Sequence, residues 1–226
     1  MILSVTPPDG GLPYTETNME YLFPEPLNAI TSVFFLLLAI YWTFKLNGQF
    51  KQHQFLSVCV LLLYIGGIGG TIYHGLRQWS FFIMMDWLPI TLICISAGVY
   101  FLAKLTKWYY AIGVVLLYIG LQFYLREETD IDLFININYA ILGALVLFPV
   151  LAFLASTRFK NGIWVGVGLF SFVVALFFRI ADRWDWLHFG THFLWHVFGA
   201  VAAWSMFHYI YLINETNRIE SRSSYS

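Results

Sequence analysis

The chain has 226 residues, of which 59% are hydrophobic and 11% charged, with a formal net charge of −1. Soluble domains carry about a quarter charged residues, so this composition, with a mean hydropathy of +0.69, excludes an ordinary soluble domain and marks a membrane protein. The near-neutral balance excludes a basic nucleic-acid-binding surface, and the two cysteines, Cys59 and Cys94, lie inside apolar runs and read as buried free thiols rather than a disulfide framework.

Residues 1–20, M-I-L-S-V-T-P-P-D-G-G-L-P-Y-T-E-T-N-M-E, have neither a basic n-region nor an apolar h-region. They read as a short extramembrane lead and not as a cleavable signal peptide. A helix needs roughly 20 apolar residues to cross a bilayer core of ~30 Å. Seven runs meet that length, at about 24–44, 54–74, 80–103, 108–125, 133–156, 162–179 and 187–213, joined by short polar connections. The sequence therefore predicts an all-α membrane protein, one seven-transmembrane-helix domain over residues 1–213 with a polar C-terminal tail over 214–226. No repeat of 20–50 residues is visible.

Loop Lys and Arg set the orientation of such a chain. One side carries Lys45, Lys51, Lys104, Lys107, Arg158 and Lys160, with Arg218 and Arg222 in the tail; the other carries Arg77, Arg126, Arg179 and Arg183. The first side is expected to be cytoplasmic, with the C-terminus there and the N-terminus outside. On this topology Glu25 and Asn28 open helix 1 and His74 closes helix 2. Asp86 lies in the first two turns of helix 3, and His188, His192 and His196 lie in the first three turns of helix 7. Alternating helix direction brings all of these to one depth, in the outer leaflet.

Ionisable groups inside a membrane default to function. Residues i and i+4 share a helix face about 6 Å apart along the axis, so His192 and His196 can both reach one ion. His74 is the natural third ligand. Three protein ligands with one position left open is the catalytic zinc pattern, and imidazole suits zinc. Asp86 could bind the metal, orient a ligand or accept a proton from a metal-bound water, whose pKa zinc lowers from 15.7 to about 7. His188 reads as a packing residue or an outer neighbour of the site. Asp182, Arg183 and Asp185 read as a solvated charge cluster before helix 7, placed where it could also shape the mouth of the site. The glycines of G-G-I-G-G (66–70) allow close helix approach or leave room for a substrate near His74.

G-G-T-I-Y-H (69–74), D-W-L-P (86–89), H-F-L-W-H (192–196) and E-P-L-N (25–28) together resemble the alkaline ceramidase family. That family belongs to the CREST group of seven-helix membrane hydrolases, which includes the progestin/adiponectin-type receptors. The resemblance runs from about Glu16 into helix 7. It implies a zinc held by His74, His192 and His196, an aspartate at Asp86 that assists the water, and hydrolysis of the amide of a ceramide to a sphingoid base and a fatty acid. It also implies a calcium motif of the form D-W-x-E-x-N completed by a helix-1 glutamate. Glu16, Asn18 and Glu25 match it, while Pro13 stands in place of its aspartate. Relatives place a serine one turn before the helix-2 histidine, able to hydrogen-bond the reacting carbonyl. Here that position is Gly70, and Thr71 beside it is the candidate substitute.

The expectation is thus a zinc-dependent multi-pass membrane amidohydrolase acting on a ceramide-like lipid in the extracytoplasmic or lumenal half of the bilayer. The alternatives are a lipid receptor or sensor with a structural metal, a b-type cytochrome with histidine-ligated haem, and an ion or proton transporter.

Overall fold

The computed structural model describes residues 6–184 and 186–223, with 217–223 as helical backbone only. Seven α-helices follow in order: α1 (Pro26–Lys45), α2 (Gln54–Leu76), α3 (Ser80–Leu105), α4 (Trp108–Glu128), α5 (Ile131–Ser156), α6 (Gly162–Ala181) and α7 (His192–Ser223). A 3-10 turn, Asp182–Trp184, follows α6, and no strand occurs among the described residues. All seven helices are long and apolar enough to cross a membrane. Large apolar side chains such as Leu117, Phe123, Phe148 and Phe170 are exposed, as lipid-facing positions require.

The chain divides into two compact units, Met1–Ile90 with Ile163–Ser226, and Thr91–Gly162. In the first, α1 packs closely along α2 and α7. The glycines of α2 allow this. A Cβ on Gly67 would lie 2.7 Å from Leu36 Cγ of α1, and one on Gly69 would lie 2.6 Å from the Met85 carbonyl carbon of α3. Close helix approach, one of the two readings of G-G-I-G-G, is what these positions serve. The core of this unit includes Trp42, Leu46, Leu56, Leu63, Phe207 and Tyr209. In the second unit, Phe101 packs against Phe153 with ring centroids 5.5 Å apart, and the Tyr118 hydroxyl donates to Asn138 Oδ1 at 2.9 Å.

Three sequence expectations change. The helix expected from residue 187 begins at His192, because Gly190 adopts φ +69° and closes a turn with its N–H on the Leu187 carbonyl (2.8 Å). His188 is therefore an exposed turn residue packed on Phe189, not the first turn of α7. The polar tail expected from 214 continues α7 as far as Ser223. Asp182 is buried rather than solvated: its Oδ1 accepts from the N–H groups of Thr191 (2.7 Å) and His192 (2.9 Å). It thereby caps α7, since the first N–H groups of a helix lack internal partners. Only glycine permits this approach at 190, where a Cβ would lie 2.3 Å from Asp182 Oδ1. Arg183 is exposed, and Asp185 and Ser224–Ser226 lie outside the described residues.

Candidate metal centre

His74 ends α2, while His192 and His196 occupy the first two turns of α7. All three are buried, and one donor atom from each lies within 4.8 Å of the others. The expected convergence of separate helices on one point is thus realised, and these three residues could hold a metal ion.

The surroundings fix which nitrogen His196 and His74 offer. His196 Nδ1 faces the Asn28 carbonyl at 3.1 Å, Thr31 Oγ1 at 3.0 Å and Ser32 Oγ at 3.3 Å. Thr31 donates its own proton to the Leu27 carbonyl (2.7 Å), and Ser32 donates to that of Asn28 (2.9 Å). Their oxygens are left as acceptors, and a carbonyl can only accept. His196 Nδ1 therefore carries the proton, and its Nε2 presents a lone pair. His74 Nδ1 lies 2.5 Å from Glu25 Oε2, so the carboxylate accepts from Nδ1–H and Nε2 is the ring nitrogen left for another partner. That Nε2 is buried with no hydrogen-bond partner, as is His192 Nδ1. Buried polar nitrogens without partners are costly in a low-dielectric interior, and a cation among them removes that cost. The carboxylate–histidine pairing at His74 is the arrangement that orients metal-ligating imidazoles.

Glu25 is itself held from four directions. Thr17 Oγ1 donates to Oε1 at 2.5 Å, Asn28 Nδ2 reaches Oε2 at 3.4 Å, His74 donates to Oε2, and the Arg77 guanidinium bonds Oε1 through Nη1. Arg77 also makes a bidentate pair with Asp9, Nε to Oδ2 at 2.7 Å and Nη2 to Oδ1 at 3.2 Å, and donates to the Leu12 carbonyl at 3.1 Å. Its charge sits 4.7 Å from the Tyr73 ring centroid. Arg77, Glu25 and Asp9 are all buried. Removing one partner of such a buried pair costs about 3–5 kcal/mol, because the other charge is left uncompensated.

The lead covers the site. Tyr14 stacks on His192 with centroids 3.9 Å apart, and burial pushes its phenol above the ordinary value, so it stays protonated. Thr15 ties the lead to the α7 cap, donating its N–H to Asp182 Oδ2 at 3.0 Å. Glu16 accepts from the N–H groups of Leu27 (2.6 Å) and Asn28 (3.0 Å), capping α1 from outside the helix. Asn18 Oδ1 accepts from the Glu20 N–H at 2.9 Å. Glu16, Asn18 and Glu25 are thus each committed to protein partners.

Asp86 is half-buried in α3 and lies in electrostatic reach of His74 and Arg179. Its Oδ1 occupies space beside Gly70, where an added Cβ would lie 2.5 Å away, and Ser32 Oγ of α1 would be 3.1 Å from the same Cβ. Thr71 donates its hydroxyl proton to the Gly67 carbonyl at 2.7 Å, so a role toward substrate requires that bond to open. Asn28 serves the site through its carbonyl on His196 and its amide near Glu25. His188 makes no contact with the three histidines among those described; its ring packs on Phe189.

Sequence reasoning missed Arg77, Asp9, Tyr14, Thr31 and Ser32, and it singled out Asp182 without seeing that it is a buried cap. One signal was available: Arg77 follows His74 by only three residues, just past the end of α2. The chain matches no protein-family model and no curated protein.

Proposed function

We propose that this chain is a zinc-dependent membrane amidohydrolase that cleaves the amide bond of ceramide or a related lipid amide. The observation that carries the reading is the meeting of His74, His192 and His196 with two partnerless buried nitrogens, next to a half-buried Asp86. The donor set fits zinc: three imidazoles suit it, and three protein ligands with an open position is its catalytic pattern. When bound there, zinc would lower the pKa of water to about 7 and polarise a carbonyl.

The residues of the chain supply the rest. His196 is held in one tautomer by Asn28, Thr31 and Ser32, and His74 by Glu25. Hydrolysis adds one water across the C–N bond, with a new C–O bond at the acyl carbon and a proton delivered to the leaving nitrogen. Asp86 would accept the water's proton and return it to that nitrogen. The three histidines are buried and Asp86 is half-buried. A substrate reaching it from the bilayer would keep its acyl chains among apolar helix faces.

The test is mass-spectrometric detection of sphingoid base and fatty acid released from ceramide in mixed micelles by the zinc-loaded protein. Asp86→Asn serves as the control. Release by the wild type and not by the variant supports the reading. A folded, zinc-loaded protein that releases nothing from a panel of N-acyl lipids contradicts it and leaves the receptor reading.

A further inference from the structure

The resemblance to ceramidases implies a calcium ion bound by Glu16, Asn18 and Glu25, and the residues present do not fit one. Calcium takes six to eight oxygen ligands. Here the Glu16 oxygens accept from the backbone of α1, and Asn18 Oδ1 accepts from Glu20 N–H. Both Glu25 oxygens receive donors, Oε1 from Arg77 and Thr17 and Oε2 from His74 and Asn28. Among the described residues, the three histidines are the one His/Cys/Asp/Glu group arranged to hold a metal.

A positive charge is nevertheless present beside Glu25, and it belongs to the chain. The Arg77 guanidinium bridges Glu25 at the N-cap of α1, Asp9 and Leu12 in the lead, and its own position at the end of α2. It thus ties together the same three segments that an ion between lead and helices would tie. We propose that Arg77 is a built-in cation that replaces calcium in this chain and, through Glu25, positions His74 for metal binding. A second observation bears on the choice of residue. Arg77 sits at the C-cap of α2 with φ +52°, a left-handed conformation where glycine is the usual occupant. The backbone is held in this region at the position from which the side chain meets Asp9 and Glu25.

A guanidinium suits the role. It is always charged, and its planar fork matches carboxylates on two sides at once. Four of its donor contacts are made: two to Asp9, one to Glu25 and one to Leu12. With the Glu25 carboxylate held in place by this neighbour, His74 Nδ1 has a fixed partner and the imidazole a fixed orientation. Arg77 is therefore a positioning residue, acting on the metal centre through Glu25 and His74.

The inference rests on the three-histidine site as a metal centre but not on the reaction, so its test uses no turnover. Purified full-length protein in detergent would be treated with EGTA or with millimolar CaCl2, then assayed for calcium content and thermal unfolding. No retained calcium and an unchanged melting temperature are expected. Stoichiometric calcium, or a melting temperature that falls with EGTA and recovers with CaCl2, would overturn the proposal. In parallel, zinc affinity would be measured by chelator competition for wild type, Arg77→Ala and Arg77→Lys. Arg77→Ala is expected to weaken zinc binding about 10–100-fold, the usual effect of losing an outer partner of a ligand, with recovery on adding methylguanidinium. A folded Arg77→Ala with wild-type zinc affinity would overturn the positioning role. If that variant does not fold, Arg77→Lys decides the positioning role: it keeps the charge but loses the planar fork, so weakened zinc binding is expected and wild-type zinc affinity would overturn that role.

Discussion

His74 Nδ1 lies 2.5 Å from Glu25 Oε2, joining the end of α2 to the start of α1 at full burial. The pair directs the partnerless Nε2 of His74 toward the two histidines of α7. This link makes the proposed metal centre depend on Glu25 and Arg77, which are not among its three candidate ligands. Glu25→Gln is expected to keep a hydrogen-bonding side chain but lose the anion. Zinc affinity should then fall about 10–100-fold, read by chelator competition, with the three ligands themselves intact.

Asp86 and the histidines should separate cleanly in a paired experiment. Asp86→Asn is expected to retain metal and to lose turnover by about 10²–10⁴-fold, the usual worth of a positioned acid or base. His192→Ala should lose both. Metal content and ceramide hydrolysis measured on the same preparations check the split; an Asp86→Asn protein that loses its zinc would make Asp86 a ligand instead.

Adjacent glycines of α2 should behave differently. A Cβ on Gly69 meets the backbone of Met85 at 2.6 Å, so Gly69→Ala must push α2 and α3 apart. It is expected to destabilise the protein by about 1–3 kcal/mol, the range for overpacking. A Cβ on Gly70 meets the movable end of Asp86 at 2.5 Å. Gly70→Ala should therefore leave the melting temperature close to that of the wild type while displacing Asp86 and lowering turnover.

Glu16 gives a pH dependence with a definite sign. Burial raises its carboxyl, outweighing the backbone N–H groups of Leu27 and Asn28 that pull it down. A group whose folded value is raised binds its proton more tightly in the folded state. Its stabilising contribution is present below the ordinary carboxylate value and is lost as pH rises through the raised folded value. Glu16→Gln should remove this component, so the difference in melting temperature between variant and wild type should change across the mildly acidic range. A difference that is flat with pH would contradict the assignment.

The helices and the histidine trio were legible in the sequence for one reason: both are written in spacing. Apolar runs of span length gave all seven helices, and His74, His192 and His196 fall at the same ends of oppositely running segments. What was not legible depends on backbone geometry or on partners distant in sequence. His188 has helical spacing to His192, but the left-handed turn at Gly190 removes it from the helix. Arg77 looks like a loop charge because it follows the apolar run, and its partner Asp9 lies in a lead with no periodicity. Thr31 and Ser32 pass for ordinary small polar residues of a helix; only the fold sets their oxygens against His196. Asp182 looks solvated until the chain turns back to present Thr191 and His192 to it.

The most direct test of the central claim is the metal content of the purified full-length protein, measured by inductively coupled plasma mass spectrometry beside a His74→Ala, His192→Ala, His196→Ala triple variant. The account predicts one zinc per wild-type chain and none in the variant. A folded wild type that stays free of zinc after incubation with the ion, or a triple variant that retains it, would contradict the claim that these three imidazoles form the metal centre.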